Sequence, residues 1–496
     1  MNSPLAPTPS PVLASTSTAP LTPSDEKLPF SAKLGYGLGN VANMIGKQAP
    51  KQLSLPIYNV ALGVDPGSIS TVLALARIWD AVTDPFVGDW SDRISTRWGR
   101  RRPFIFFGSI FSGLFFASMW FMPHGLSEAG YITYYAVTSF LFYLGLTIYS
   151  VPWYALGYEM AKTYDERTSL MAWPSAIGPL AQIMVAWLYA ITQLDFFSDT
   201  LEGVRWVGAG AGILLVGFGM MPVLLVREVP VAPAPQPAPT TKKIKRGKTE
   251  FWRGCAEAFR NRPFLALTIA FTSIMIGSSL GVGLGFYMNT YYIYGGDTKA
   301  ASVLIGWIGT VSLITTIVFT PVVSKMAKRY GKKNIFVAGI IWAMVRSIAQ
   351  WFLLTPTAPY LGLVNAALMG IELATIFMLC HAMIADVCDE DEHSHGLRRE
   401  GLFGALYAWV YKTGLALAFA ASGYILVFIG FDRSLGGGQH EGTLLSMKVA
   451  FCIVPVVFYL IAFWAMRYYD LTKEKCERLR AEIAIRKQAA SASGAA

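Results

Sequence analysis

Residues 77–85 read RIWDAVTDP and lie inside an apolar run that begins near Ser68. Asp80 and Asp84 are four residues apart, so a helix places both carboxylates on one face, one turn apart. Arg77 precedes Asp80 by three residues and shares that face. A charge at the centre of a bilayer costs at least ~2.5–3.5 kcal/mol on insertion scales, so two carboxylates here indicate a function.

The chain around this stretch is unusually apolar. Of its 496 residues, 54% are hydrophobic and 15% are charged, whereas soluble proteins carry about 25% charged residues. Twelve apolar runs have lengths near the roughly 20 residues that a helix needs to cross a bilayer. They cover residues 34–62, 68–90, 104–122, 131–157, 170–193, 204–226, 263–294, 300–325, 334–354, 360–386, 401–430 and 443–468. We therefore predict an all-α membrane protein with twelve transmembrane helices.

A linker rich in proline and lysine divides the twelve runs into two sets of six. The predicted domains are a disordered N-terminal tail (1–30), an N-terminal six-helix half (31–228), a cytoplasmic linker (229–262), a C-terminal six-helix half (263–468) and a cytoplasmic C-terminal tail (469–496). Basic turns follow both the second and the eighth run. This internal symmetry is typical of duplicated transporter halves and predicts the major facilitator fold, with the substrate site between the halves.

The distribution of charge predicts orientation and excludes some functions. Lysine and arginine cluster in residues 93–102, in 328–333 and in the linker, so the positive-inside rule places both termini in the cytoplasm. We predict a multi-pass protein of the inner (plasma) membrane, and we interpret the basic runs as topology signals and not as nucleic-acid sites. No GxxxxGK[ST] motif occurs in the sequence, so an ATP-driven pump is unsupported. We predict no enzyme activity and no cofactor other than a coupling ion.

The paired carboxylates predict a cation site. Two carboxylates this close do not both stay ionised unless a cation lies between them, and a bound sodium ion or a shared proton meets that need. Oxygen atoms suit a hard cation, and the hydroxyl of Thr83 supplies another ligand. The alternative is a salt bridge from Arg77 to one of the two aspartates that joins helices.

Lys47 and Lys51 also lie one turn apart, in the first apolar run. Three interpretations remain open from the residues. The lysines form ion pairs with Asp80 and Asp84, or they bind an anionic substrate as point charges, or one is uncharged because burial disfavours the ammonium. We lean toward the second, with an anionic glycoside such as a uronide as substrate. Glu372 is another ionisable group within a predicted span, with no role assigned.

Three blocks of sequence carry a resemblance to a known family. They are RIWDAVTDPFVGDWSDRISTRWGRRRPFI (77–105), TIYSVPWYALGYEMAKTYDERTSLMAW (147–173) and MIADVCDEDEHSHGLRREGLFGALYAWVYKTGLALA (383–418). The blocks resemble the glycoside–pentoside–hexuronide:cation symporters, the melibiose-carrier family of the major facilitator superfamily. They occur in both halves and in the family's order, and the twelve-span topology covers residues 30–470.

The resemblance implies roles for individual residues. The implied cation ligands are Asp80, Asp84, Thr83 and Thr147. The candidate substrate residues are Lys47, Lys51, Arg77, Ser150, Trp153, Tyr154 and Lys412. The implied cytoplasmic gate is Arg167, Asp386, Asp389 and Arg398. Within these sets, Tyr154 stands where the melibiose carrier stacks its sugar on a tryptophan, and Lys412 matches a lysine near both cation and sugar.

The chain also departs from the melibiose carrier. Met44 and Ser150 stand where that carrier holds its galactoside with aspartates, and Ser175 stands where it has an arginine. Galactoside specificity is therefore not implied for this chain.

We predict a cation-coupled (Na+ or H+) symporter that imports a glycoside, or a uronide-like anionic substrate, by alternating access. Its partners would be that small molecule and the lipid bilayer, and it would function as a monomer. The alternative is a sodium-coupled carrier of lysophospholipid-type amphiphiles, because a vertebrate branch shares the WDAxTDP signature. A receptor that keeps the fold without transport is a third interpretation, and the intact aspartate pair argues against it.

Overall fold

The computed structural model of the protein describes residues 27–94, 96–161, 164–226, 256–395 and 400–493. These residues fold into two sets of six long helices, α1–α6 and α7–α12, as predicted. The helices are α1 (Phe30–Ser54), α2 (Pro66–Arg93), α3 (Arg102–Ser118), α4 (Glu128–Met160), α5 (Tyr164–Thr192), α6 (Thr200–Leu225), α7 (Arg262–Tyr287), α8 (Thr298–Tyr330), α9 (Lys332–Leu353), α10 (Leu361–His395), α11 (Glu400–Phe428) and α12 (Glu441–Cys452 and Val454–Ala465). Most of the predicted N-terminal tail and linker lies outside the described residues.

Nine helices in the described part of the chain are long and apolar enough to cross a membrane, judged by length and composition. Helices α1, α2 and α3 are outside this set. Helices α1 and α2 contain charged side chains within the span, and α3 has only 17 residues. The charged side chains of α1 and α2 that lower their hydropathy are the same residues from which we predict the function.

Side-chain caps determine where several helices begin. The capping residues are Asp65, Ser127, Asp199, Asn261 and Asp297, and each accepts a hydrogen bond from the backbone N–H three residues later. Such caps satisfy one of the N–H groups that a helix start leaves without a partner. The caps thus fix the first turns of helices in both halves.

The first helix of each half ends in the same way. After α1 the chain continues as π-helical turns at Leu55–Ala61, and after α7 it does so at Met288–Ile293. Pro56 lacks the N–H that a regular helix would use at this point, which favours the change of hydrogen bonding. The shared irregularity is consistent with duplicated halves.

We call the end of the bundle with the turns at 94–101 and at Gly331 the basic end, and the opposite end the far end. The halves meet along α2 with α11 and along α5 with α8. At the far end, Tyr287 Oη donates to Asn59 Oδ1 at 2.7 Å, and Arg433 Nη1 donates to the Asn59 carbonyl at 3.2 Å. The described hydrogen bonds between the halves lie at this end or near the middle of the helices. The far end is therefore interlocked, meaning that hydrogen bonds hold the two halves together there.

The predicted C-terminal tail contains a thirteenth helix, α13 (Lys473–Ser493). It lies against α10 at the basic end and buries Leu479 and Ile483, which are four residues apart on one face. Two apolar contacts in a highly charged segment gave too weak a pattern for us to predict this helix.

Candidate functional site

The carboxylates of Asp80 and Asp84 lie on one face of α2, as their spacing predicts, and they share a partner from the other half. Lys412 Nζ on α11 lies 3.2 Å from Asp80 Oδ2 and 2.5 Å from Asp84 Oδ2. The Asp80 side chain is buried, whereas Asp84 and Lys412 are 33% and 29% exposed. A single ammonium therefore bridges two carboxylates where the halves meet, and one side of the bridge remains open to water.

Two hydroxyl groups complete a set of oxygen ligands beside the carboxylates. Thr147 Oγ1, on α4, donates to Asp80 Oδ1 at 2.9 Å, and Thr83 Oγ1 lies 3.3 Å from Thr147 Oγ1. Both threonines are buried. The structure thus brings together all four predicted cation ligands, and this set of carboxylate and hydroxyl oxygens suits a hard cation.

Arg77 has a different partner from the one its spacing suggests. Its Nη2 donates to the backbone carbonyl of Lys47, and its guanidinium carbon lies 4.7 Å from the ring centroid of Tyr143. Its Nε has no hydrogen-bond partner within the described residues. Arg77 therefore braces α1 and α4, and Lys412 takes the place beside the aspartates.

Lys47 and Tyr154 face each other across α1 and α4. Lys47 Nζ donates to Tyr154 Oη at 3.0 Å, and Asn43 Nδ2 donates to the same oxygen at 2.9 Å. Because the hydroxyl oxygen accepts twice, its own proton is free to be donated to a ligand. In this conformation the Tyr154 hydroxyl is thus held in place by hydrogen bonds from two donors, Lys47 and Asn43.

Lys51 lies one turn further along α1. Its Nζ donates to Gln48 Oε1 at 3.1 Å and lies 5.2 Å from the ring centroid of Phe419. In the described part of the chain, neither Lys51 nor Lys47 forms an ion pair with the aspartates. Of the three interpretations of these two lysines, the structure therefore does not show the first, in which they form ion pairs with the aspartates.

Trp153 and Ser150 lie inside the packing of the N-terminal half. Trp153 is 1% exposed and stacks between Tyr36 and Tyr149, at 4.9 and 6.5 Å between ring centroids, and Ser150 is also buried. Successive side chains on a helix point about 100° apart, so the neighbouring aromatics at 153 and 154 point in different directions. The structure places Tyr154 toward Lys47 and gives Trp153 a packing position.

The carboxylates predicted to form the gate pair within their own half. Asp386 lies 2.7 Å from Lys332 Nζ and 2.8 Å from Arg480 Nη2, and Asp389 lies 2.9 Å from Arg480 Nε. Sequence reasoning missed both cationic partners. Arg480 is on α13, which we did not predict, so no pattern connected it with α10.

Arg167, the predicted gate residue of the N-terminal half, stacks over the ring of Tyr158 at 5.3 Å. The structure describes no ion pair between Arg167 and the two gate carboxylates. Arg398 lies outside the described residues. The gate therefore remains a prediction for a conformation in which the basic end is closed.

A second buried pair of charges lies in the C-terminal half. Arg346 Nε on α9 donates to Glu372 Oε2 on α10 at 2.7 Å, and both residues are less than 10% exposed. Tyr459 donates to Glu372 Oε1 at 3.0 Å, and Arg346 Nη1 donates to Gln350 Oε1 at 2.7 Å. Sequence reasoning singled out Glu372 but missed its partner. The available signal was Arg346 itself, an arginine in the middle of an apolar run.

Comparison with known proteins identifies the class to which this fold and site belong. Residues 35–473 match the family described as MFS/sugar transport protein. The chain therefore belongs to this family of membrane transporters, and it is a multi-pass transporter rather than an enzyme.

Curated relatives cover nearly the whole chain. The chain is 26% identical over 480 residues to a glucuronide carrier protein homolog of Escherichia coli K12, covering 94% of this chain and 97% of the relative. It is 26% identical over 467 residues to the putative glycoside/cation symporter YagG of the same organism, covering 92% and 95%. It is 22% identical over 485 residues to the sodium-dependent lysophosphatidylcholine symporter 1 of Xenopus tropicalis, covering 90% and 89%.

Solved structures share the fold. A bacterial homolog of the human lysosomal transporter Spinster superposes with a TM-score of 0.63 at 16% identity, covering 88% of this chain and 97% of that one. The twelve-helix, two-half arrangement is thus that of solved transporters.

Proposed function

We propose that the protein is a sodium-coupled symporter that imports an anionic glycoside, of the uronide class, by alternating access. The observation that carries the proposal is the cluster of Asp80, Asp84 and Lys412, which joins the two halves. The names of two relatives, a glucuronide carrier homolog and a glycoside/cation symporter, support the same class of substrate.

The orientation follows from the charge distribution. The basic end faces the cytoplasm by the positive-inside rule, with both termini on that side and the helices crossing the inner (plasma) membrane. Because the far end is interlocked, water reaches the cluster from the cytoplasm. This conformation corresponds to the inward-facing state of the cycle. The proposed working unit is a monomer.

The cluster can exchange its ammonium for an ion. A sodium ion carries the same single positive charge as the ammonium, so it can take the place of Lys412 beside the two carboxylates without changing the charge of the cluster. The ligands of that ion would be Asp80, Asp84, Thr83 and Thr147. Since Asp80 and Thr147 lie on α2 and α4, a bound ion would hold these helices together and free Lys412 for the substrate site. The two hydroxyls favour sodium over a proton, because a proton needs no such ligands.

The substrate contacts lie on α1 and α4, close to the cluster. Lys47 and Lys51 offer ammonium groups with no carboxylate partner among the described residues, and Tyr154 offers a free O–H. A uronide supplies a carboxylate for a lysine and hydroxyls for the tyrosine. If sodium tightens binding of the uronide, the uronide tightens binding of sodium by the same factor.

Thermal unfolding of the purified protein tests the proposal. We would compare methyl glucoside with methyl glucuronide, each in sodium chloride and in choline chloride. A ligand at 100 times its dissociation constant stabilises the native state by about 2.7 kcal/mol. We expect the glucuronide to raise the melting temperature in sodium and to act less in choline. Stabilisation by the glucoside alone would overturn the anionic substrate. A response only to lysophospholipid below its micellar range would favour the amphiphile carrier that the Xenopus relative suggests.

Two substitutions separate the cation site from the substrate site. We expect Asp84→Asn to abolish sodium-dependent concentrative uptake while the folded protein remains in the membrane. Asp89→Asn is the matched control, because this exposed aspartate of α2 pairs with Arg93. Lys51→Met should weaken binding of the glucuronide more than that of the glucoside. Full concentrative uptake by Asp84→Asn would refute the coupling proposal.

A further inference from the structure

A cavity of about 290 Å³ lies mainly in the C-terminal half, beside Lys51. Helices α7, α8, α9, α10 and α12 form most of its wall, and α1 and α5 close it on the side of the N-terminal half. Much of the wall is apolar and includes Leu55, Pro56, Phe286, Ile305, Ile308 and Phe451. None of these residues entered the predicted substrate site.

The charges around this cavity are unevenly distributed. Arg346 and Glu372 line it but neutralise each other, and Tyr459 and Gln350 satisfy their remaining hydrogen bonds. Lys51 also lines the cavity, and its ammonium has no such carboxylate partner in the described residues. The ion pair inside the cavity is thus balanced, and the amino group of Lys51 lies at the α1 side without a carboxylate partner in the described residues.

We propose that this cavity is an aglycone subsite, which receives the apolar aryl or alkyl group of the transported uronide. Lys51 holds the anionic sugar at the rim. The volume is near the lower limit of ligand pockets, roughly 300 Å³, which suits one part of a ligand. This inference rests on the proposed function and specifies its substrate as uronides with apolar aglycones.

Gly281 offers a way to fill the cavity without moving the backbone. It lines the cavity, and a Cβ added there would lie 3.8 Å from Phe451 Cε2, an ordinary contact. Gly281→Leu therefore places an apolar side chain where the aglycone would lie. Gly217→Leu is the matched control, since Gly217 is an exposed glycine of helix α6 with nothing within 4 Å of an added Cβ.

The experiment measures equilibrium binding of methyl and phenyl glucuronide to the purified protein in sodium chloride. Burial of on the order of 100 Å² of apolar surface should make the phenyl compound bind about 10- to 100-fold tighter than the methyl compound. Gly281→Leu should remove this gain, so that the two compounds bind with similar affinity, whereas Gly217→Leu should keep it.

Equal binding of the methyl and phenyl compounds to the wild-type protein would overturn the subsite and leave the proposed function standing. A phenyl preference that survives in folded Gly281→Leu would overturn it as well. If Gly281→Leu does not fold, the comparison of the methyl and phenyl compounds on the wild-type protein decides the question. If no glucuronide binds at all, the proposed function fails and the subsite fails with it.

Discussion

Among the ion pairs of the described helices, two that lie far from the helix ends differ in whether their partners come from the same half. Lys412 and Asp84 come from different halves, and their side chains are 29% and 33% exposed. Arg346 and Glu372 come from neighbouring helices of one half, and their side chains are 7% and 1% exposed. The first pair spans a boundary that moves in alternating access, whereas the second lies within one body.

The difference shows how a charge in a membrane protein is used. A pair that keeps contact with water and joins two bodies can separate when an ion replaces one partner. A pair enclosed by hydrogen bonds cannot separate without leaving an unpaired buried charge. We therefore interpret the pair of Lys412 and Asp84 as part of the transport cycle, and the pair of Arg346 and Glu372 as a fixed wall of the cavity.

The largest expected effect is on stability, from breaking the enclosed pair. Glu372→Ala leaves the Arg346 guanidinium buried without its carboxylate and should destabilise the protein by about 3–5 kcal/mol. The measurement is denaturant or thermal unfolding in a fixed detergent.

The double variant Arg346→Met with Glu372→Leu is the control for this prediction. It leaves no buried charge and should recover most of the lost stability. A single variant as stable as the wild-type protein would remove the distinction between the two pairs.

The second prediction concerns the pair that joins the halves. Lys412→Met leaves Asp80 and Asp84 without their ammonium, so sodium becomes the cation that neutralises them. At an effective dielectric constant near 20, unit charges 4 Å apart interact by about 4 kcal/mol, and partial exposure reduces this value. We expect about ten-fold tighter sodium binding, measured as the sodium dependence of the melting temperature, and loss of coupled uptake.

Lys448→Met is the matched control for Lys412→Met. Lys448 is another lysine within the helices of the C-terminal half, but it is buried and lies over the rings of Tyr292 and Trp351, at 4.7 and 4.9 Å from their centroids. Its removal should not change the response to sodium. The same sodium affinity in Lys412→Met as in the wild-type protein would show that the ammonium does not compete with the ion.

The smallest effect is expected at the basic end, where the Arg480 side chain is 54% exposed. Ion pairs this accessible contribute about 0–1 kcal/mol. Burial, reinforced by the nearby Asp386, raises the pKa of the Cys476 thiol on α13 to about 11, which slows its alkylation. Arg480→Ala should loosen α13 and speed alkylation of Cys476, in a variant lacking the other cysteines, by less than about five-fold. The gain is reduced because loss of the positive charge of Arg480 by itself raises the pKa of the Cys476 thiol.

Arg478→Ala is the control within α13, because the only ion pair that the described residues give Arg478 is with Glu482 of the same helix, at 3.6 Å, and the contact of Glu482 with His393 of α10 stays in place. It should leave the rate of alkylation unchanged. An equal increase in both variants would mean that the contact between α13 and α10 does not depend on Arg480.

Local spacing predicted much of the candidate site. The four-residue interval between Asp80 and Asp84 gave their shared face, and the resemblance placed Thr147 and Lys412 near them. Spacing gave no means of choosing among several lysines and arginines as the partner of the aspartates. Lys412 is more than 300 residues away from them in sequence, and its place depends on how α11 packs against α2.

The sequence by itself determined the all-helical membrane fold, the two halves and the face on which the aspartates lie. These features depend on hydropathy and helical period, which are local properties of the chain. Only the tertiary structure decided that Lys412 bridges the aspartates, that Trp153 is enclosed by tyrosines and that Arg346 neutralises Glu372. Each of these depends on which helices become neighbours, because an ion pair or a stacked ring requires contact within a few ångströms between distant parts of the chain.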